Sequence, residues 1–115
     1  MQKELEKHLH KSLVKYLKKK QQEKEFIFFH VKNDVGGRQR NFFYDLKPLG
    51  ILPGVSDFVF LKKDGRCAFL EIKTKKGRLS ENQKRFIEDA KKLGHDVAIA
   101  YGWNEILEKV EKIIE

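Results

Sequence analysis

The chain is poor in the residues that usually reinforce small folds: 115 residues include one cysteine, two prolines, one tryptophan and one methionine. A lone Cys67 cannot close an internal disulfide, and no histidine partner is placed to make it a nucleophile. A core or strand position in a reducing cytoplasm is expected for it. No apolar run approaches the roughly 20 residues a bilayer span needs. The longest are stretches such as Phe26 to Phe29, so membrane spanning is excluded. Gln2, Lys3 and Glu4 stand where a secretory signal would begin its apolar core. The four histidines, His8, His10, His30 and His95, show no zinc spacing, and His8 and His10 diverge around a helix. They read as incidental.

What is present is core material and charge. A 40% apolar share with nine Phe is too much for a disordered basic tail. At 13.6 kDa the chain is one small domain over residues 1–115. Folding should hide roughly two thirds of the unfolded surface, enough for a single core. The formal net charge is +8, and it is local. Residues 1–25 carry eight basic against four acidic groups and residues 61–85 nine against three, whereas residues 86–115 carry four against seven. Such a band attracts polyanions on one side, with nucleic acid the leading partner and solubilising helix lysines the alternative.

Hydrophobic periodicity supplies the elements. Leu5, Leu9, Leu13, Tyr16 and Leu17 predict an amphipathic first helix over residues 2–20. Phe26 to Lys32 reads as a strand ending at the turn-forming Asn33, Asp34, Gly36 and Gly37. A short helix or loop over Asn41 to Gly50 stops near Pro48 and is followed by a turn at Pro53-Gly54. Ser56 to Lys62 and Arg66 to Thr74 form an antiparallel hairpin around Lys63-Asp64-Gly65. Ser80 and Gln83 have the form of a capping box, with Phe86, Ile87, Ala90 and Leu93 as the apolar stripe and Gly94 as the stop. Asp96 to Tyr101 is a last strand, parallel to its predecessor because a helix joins them. Trp103, Ile106, Leu107, Val110, Ile113 and Ile114 mark a final helix with Asn104 as its cap. The order α-β-(α)-β-β-α-β-α implies an α/β fold: a small mixed β-sheet flanked by helices.

The chemistry centres on the only Glu-x-Lys tripeptide, Glu71-Ile72-Lys73. Strand alternation puts Glu71 and Lys73 on one face with Phe69, and Leu70 and Ile72 on the other. Asp57 opens the partner strand, so its carboxylate comes close to Glu71. Two carboxylates and the carbonyl oxygen of Ile72 are hard oxygen donors of the kind Mg²⁺ or Mn²⁺ prefers. Lys73 would position or deprotonate an attacking water and stabilise charge on a phosphate. The competing interpretation is a salt-bridged cluster on a solvated sheet face, and Asp45-Leu46-Lys47 shows how easily such tripeptides arise. At about 100° per residue, Glu6 falls inside the arc of Leu5, Leu9, Leu13 and Leu17. A carboxylate there needs a partner such as Lys73 or a cation. Gln83 is either a capping glutamine or a site amide, and the two roles are compatible. Arg38, Arg40, Lys75, Lys76 and Arg78 flank the centre in loops, where Gly36-Gly37 and Gly77 permit close approach of phosphates.

Taken together, Gly54-Val55-Ser56-Asp57-Phe58, the run Phe69 to Ser80 and Gln83 resemble the virus-type replication-repair nuclease (VRR-NUC) domain of the PD-(D/E)XK nuclease superfamily. The resemblance extends to Leu93-Gly94-His95-Asp96-Val97-Ala98 and the first helix. It implies a restriction-endonuclease-like core with Asp57, Glu71 and Lys73 catalytic, Glu6 as the first-helix glutamate and Gln83 as the glutamine after the strand. It further implies a Mg²⁺- or Mn²⁺-dependent DNA endonuclease acting as a homodimer on branched DNA such as four-way junctions, in the host cytoplasm if viral. Phe42, Phe43 and Tyr44, or the last helix with Trp103, are the expected dimer contacts. Ser56 stands where the family usually has proline, which implies a changed strand entrance, and His10 where a glutamine often stands. A non-catalytic DNA-binding module of the same fold and an RNA-directed nuclease are the alternatives.

Overall fold

The computed structural model describes residues 2–31 and 47–115. The expectations for Asn33, Asp34, Gly36, Gly37, Arg38, Arg40, Phe42, Phe43, Tyr44 and Asp45 lie outside the described residues. Three helices and four strands follow the expected order: α1 (Gln2–Lys20), β1 (Phe26–His30), a 3₁₀ turn (Lys47–Leu49), β2 (Phe58–Lys62), β3 (Cys67–Lys73), α2 (Glu81–Lys92), β4 (Asp96–Tyr101) and α3 (Trp103–Ile113). The strands pair in the order β1-β2-β3-β4. The first two pairings are antiparallel and β3 with β4 is parallel, as the helical crossover requires.

Strand alternation divides the sheet. Phe58 and Phe60 of β2, Ala68, Leu70 and Ile72 of β3 and Ala100 of β4 form one core with Leu13 and Leu17 of α1 and with Ile106, Val110 and Ile113 of α3. Each fully buried Phe or Leu there contributes about 1.5–3 kcal/mol. Tyr16 of α1 donates its hydroxyl to Glu111 of α3, so the two helices lie side by side. The opposite face is covered by α2, whose Phe86 meets Phe69 edge to face at 5.0 Å. Ile27, Phe29 and Leu61, on the β1–β2 half of that face, are exposed.

Several local expectations are corrected. Leu93 belongs to no apolar stripe: it is the C-cap of α2 and 78% exposed. At that point His95 N–H donates to Ala90 O and Gly94 N–H to Lys91 O, a Schellman ending that turns the chain outward. Leu5 is likewise 56% exposed, beyond the stretch of α1 that reaches the sheet. Asn104 does not cap α3. The N-cap is Gly102, at φ 87°, and Glu105 reaches back to accept from Tyr101 N–H at 3.0 Å. A glycine able to take positive φ lets the chain leave β4 and start the helix two residues earlier. Pro48 lies within the 3₁₀ turn, which runs on to Leu49.

One glycine links the strand entrance to α2. Gly54 has φ 89°, and a Cβ there would lie 2.4 Å from both the carbonyl carbon and oxygen of Asn82. The loop leading to β2 therefore rests directly on the first turn of α2. Gly65, in the hairpin turn, has nearly the same φ, 88°, but open space around it. Gly65→Ala should cost only the strain of the left-handed conformation, about 1–2 kcal/mol. Gly54→Ala should cost clearly more, because backbone atoms must also move. Chemical denaturation of the two variants checks this, and equal losses would contradict it.

Candidate active site

Three elements converge at one end of the sheet. The hairpin sets the first juxtaposition. Gly65 N–H donates to Lys62 O at 3.1 Å, and Asp64 Oδ1 accepts from Arg66 N–H at 2.9 Å. The turn thereby pins the register in which Phe58 faces Leu70. One step further along the same ladder, Asp57 lies beside Glu71. Asp57 Oδ2 accepts the N–H of Ile72 at 2.8 Å, extending the β2–β3 pairing through a side chain. In a strand, a residue's N–H and C=O point to the same side, so the Ile72 carbonyl also faces the Asp57 edge. The Lys73 carbonyl turns the other way and accepts from Gly102 N–H at 3.0 Å.

Glu71 is not on a solvated face; it is 2% exposed. Its Oε2 accepts from Gln83 Nε2 at 3.0 Å and lies 3.8 Å from Lys73 Nζ. Its Oε1 is buried with no hydrogen-bond partner. Burial, and then the Asp57 carboxylate, push the Glu71 pKa up to about 9, against the opposing pull of Lys73. The charge of Glu6, half-buried on α1, adds to the upward push. The loop after β3 passes close over the Lys73 stem: a Cβ on Gly77 would lie 3.2 Å from Lys73 Cβ and Cδ, a tight contact.

Gln83 closes the capping box and also reaches Glu71. Its backbone N–H donates to Ser80 Oγ at 3.1 Å and its Oε1 accepts from Ser80 N–H at 2.8 Å, closing the capping box. The amide oxygen is thereby committed to the helix cap, which turns Nε2 toward Glu71. Lys75, Lys76 and Arg78 follow β3 as exposed residues. Ser56, where the family resemblance leads one to expect proline, is fully buried with an unpartnered hydroxyl.

Two residues read as incidental in the sequence belong to the site's frame. His30 Nδ1 donates to the backbone oxygen of Asp57 at 2.9 Å, and Val31 N–H donates to the same oxygen at 2.8 Å. The His10 ring stands edge-on to His30 at 4.2 Å and against Phe58 at 4.5 Å. Burial, then the neighbouring His30, lower the His10 pKa, and Asp57 opposes them. Periodicity contained a signal for both. His30 continues the inward alternation of Phe26 and Phe28, and His10 follows Glu6 by one helical turn. That these two faces meet beside Asp57 is a tertiary fact.

Two adjacent carboxylates, one carrying a buried oxygen without a donor, fit a small hard cation. Among the described residues no three His, Cys, Asp or Glu side chains converge. A softer or fully protein-caged metal would need such a set, whereas Mg²⁺ typically takes one or two carboxylates plus water and phosphate oxygens.

Two measurements follow from this geometry. A raised Glu71 pKa means that the native state keeps a proton the unfolded chain has lost. Its stabilising contribution is complete below about pH 4.5, the ordinary value, and disappears as pH rises toward 9. Metal-free protein should therefore lose a few kcal/mol of stability across that window, and Glu71→Gln should flatten the decline; a parallel profile for the variant would contradict the assignment. Separately, because His30 is exposed and Val31 still satisfies the Asp57 oxygen, His30→Ala should cost about 0.5–1.5 kcal/mol, with at least half recovered in His30→Asn, whose amide nitrogen can replace Nδ1. Equal losses in the two would show that the hydrogen bond to Asp57 contributes nothing.

Comparison with known proteins agrees with the frame. The model of the VRR-NUC domain family matches residues 4–104. A solved structure titled "VRR_NUC domain protein" is similar in fold, with a TM-score of 0.56 at 19% identity. The likeness covers 73% of this chain and 64% of that one, so the chain spans less than two thirds of the solved relative. A search of curated proteins finds no match. The matched stretch contains every element that meets at the site, from Glu6 through Gln83 to the start of α3, and the chain belongs to the VRR-NUC domain family.

Proposed function

We propose that the chain is a metal-dependent, structure-selective DNA endonuclease that hydrolyses phosphodiester bonds. The observation that carries this reading is Glu71: a buried carboxylate beside Asp57, with one oxygen unpartnered and a proton affinity far above normal. Such a group is unfavourable as a structural ion pair and favourable as a cation ligand. Asp57, Glu71 and the Ile72 carbonyl are the donors for Mg²⁺ or Mn²⁺, with Glu6 a further carboxylate nearby; the cation when bound supplies Lewis-acid polarisation of the phosphate and a nucleophile from water.

The chain's own groups have separable tasks. Lys73 Nζ, 14% exposed and near Glu71, places a positive charge where negative charge grows on the phosphoryl oxygens. In its neutral form the same nitrogen would orient or deprotonate the attacking water. Gln83 holds Glu71 Oε2 in place. Lys75, Lys76 and Arg78, together with Arg38 and Arg40, would neutralise backbone phosphates on either side of the scissile bond.

Branched DNA such as a four-way junction is the proposed substrate, and a homodimer the proposed form, because paired cuts across a junction need two sites. Phe42, Phe43 and Tyr44, or α3 with Trp103, which is half-buried against the core, are the proposed contacts. No described helix is long and apolar enough to cross a membrane; a cytoplasm is the proposed location.

Labelled four-way junction, linear duplex and RNA of matched shape, incubated with EDTA, Mg²⁺ or Mn²⁺, provide the test. Metal-dependent cleavage of the junction is expected. Lys73→Ala should slow it by about 10²-fold or more without abolishing DNA binding. Binding without product in either metal would favour the non-catalytic module, and faster cleavage of RNA the RNA-directed enzyme.

A further inference from the structure

Lysines on the three helices are treated differently. On α2 and α3 three of the five lysines sit beside glutamates: Lys84 with Glu81, Lys92 with Glu88 and Lys112 with Glu108, all within 3.9 Å, whereas Lys91 and Lys109 have no ion pair among the described residues. On α1, among the described residues, only Lys20 has an ion pair, with Glu23 and Glu111 at the helix end. Lys7, Lys11, Lys15, Lys18 and Lys19 are all exposed and none pairs with a described carboxylate. Lys7, Lys11, Lys15 and Lys19 repeat at four-residue intervals, so like charges stack along one side of the helix at a cost to its stability. Solubility alone would be served as well by the mixed pattern of α2 and α3.

The position of this row is informative. Leu13 and Leu17 bury the inner side of α1 in the core, and the lysines project from the opposite side. Lys7 and Lys11 directly follow Glu6 and His10, the residues α1 sends toward the site. The row therefore begins at the level of the Asp57–Glu71 centre and runs about 18 Å along the helix to Lys19. That length matches the phosphates of about five base pairs on one strand. A membrane surface fits less well, because an interfacial helix inserts its apolar side and that side of α1 is already occupied.

We infer that the outer side of α1 is a second DNA-binding surface, a lysine ridge that holds the phosphate backbone of a duplex arm leading away from the catalytic centre. The inference rests on the nuclease reading for its ligand and adds a contact surface remote from the chemistry.

The test is fluorescence anisotropy of a labelled 30-base-pair duplex and a four-way junction, titrated in EDTA between roughly 50 and 200 mM KCl. The ridge variant carries Lys7→Gln, Lys11→Gln and Lys15→Gln. A control with equal charge loss carries Lys91→Gln, Lys92→Gln and Lys112→Gln. The ridge variant should keep or raise the thermal midpoint and should reduce the slope of log affinity against log salt by about 2–3, while the control changes it by less than about 1. An unchanged slope, an equal change in the control, or loss of binding to phosphatidylserine vesicles with DNA binding intact would overturn the ridge. Because no metal is present, the two readings separate. Metal-dependent cleavage by the wild type with an unchanged slope defeats the ridge alone. A reduced slope without any cleavage leaves the ridge standing and defeats the nuclease.

Discussion

A carboxylate buried beside another carboxylate is the constraint around which this fold is arranged. Glu71 lies in the middle of the sheet, on the strand that pairs with both β2 and β4, and its side chain has almost no access to water. Burying one ionised acid costs several kcal/mol, and Asp57 alongside makes ionisation harder still. One amide and one ammonium satisfy half of the group. The other oxygen is left without a donor, and in metal-free protein the site responds by keeping its proton. A raised proton affinity and an unpartnered buried oxygen thus meet in one side chain.

The surrounding architecture holds that arrangement from three directions. At the entrance to β2, the Ile72 N–H of β3 anchors the Asp57 carboxylate, while His30 and Val31 at the end of β1 anchor its backbone oxygen. From α2, Gln83 uses one end of its amide to cap its own helix and the other to hold Glu71. Gly54 brings these two supports into contact, since the entrance to β2 sits against Asn82 with no room for a side chain. A shift of the α2 terminus would therefore move both acids together. Ser56, buried beside Asp57 with an unpartnered hydroxyl, is the second point in this frame, after Glu71 Oε1, where a buried side-chain oxygen has no hydrogen bond among the described residues.

Charge outside the centre is organised on the same logic. The site is acidic at its heart and would repel a phosphate backbone in the absence of a cation. Basic residues follow β3 directly, and the unpaired lysines of α1 extend the positive surface along a helix whose other side supports the core. The acidic excess of residues 86–115 is spent largely on pairing: Glu88, Asp96, Glu108 and Glu111 each meet a basic partner.

Much of this was legible in the chain before any contact was known. Periodicities of two and 3.6 residues located every described element, because burial of one face is a local pattern repeated along the backbone. The capping box and the glycine stop of α2 are equally local, as are the alternation that pairs Glu71 with Lys73 and the inward turn of Glu6. Two of the misjudged positions, Leu93 and Asn104, lie at helix ends, where a single glycine dihedral decides which residue is inside the turn. What only the tertiary structure decided is how separate faces meet. Sequence could place His10 and His30 on inward sides of α1 and β1, but only packing brings them together against Phe58 and sets His30 on the Asp57 carbonyl. Nor could it distinguish a solvated cluster from a buried one. The burial of Glu71 depends on α2 covering β3, a contact between segments whose spacing along the chain carries no record of it.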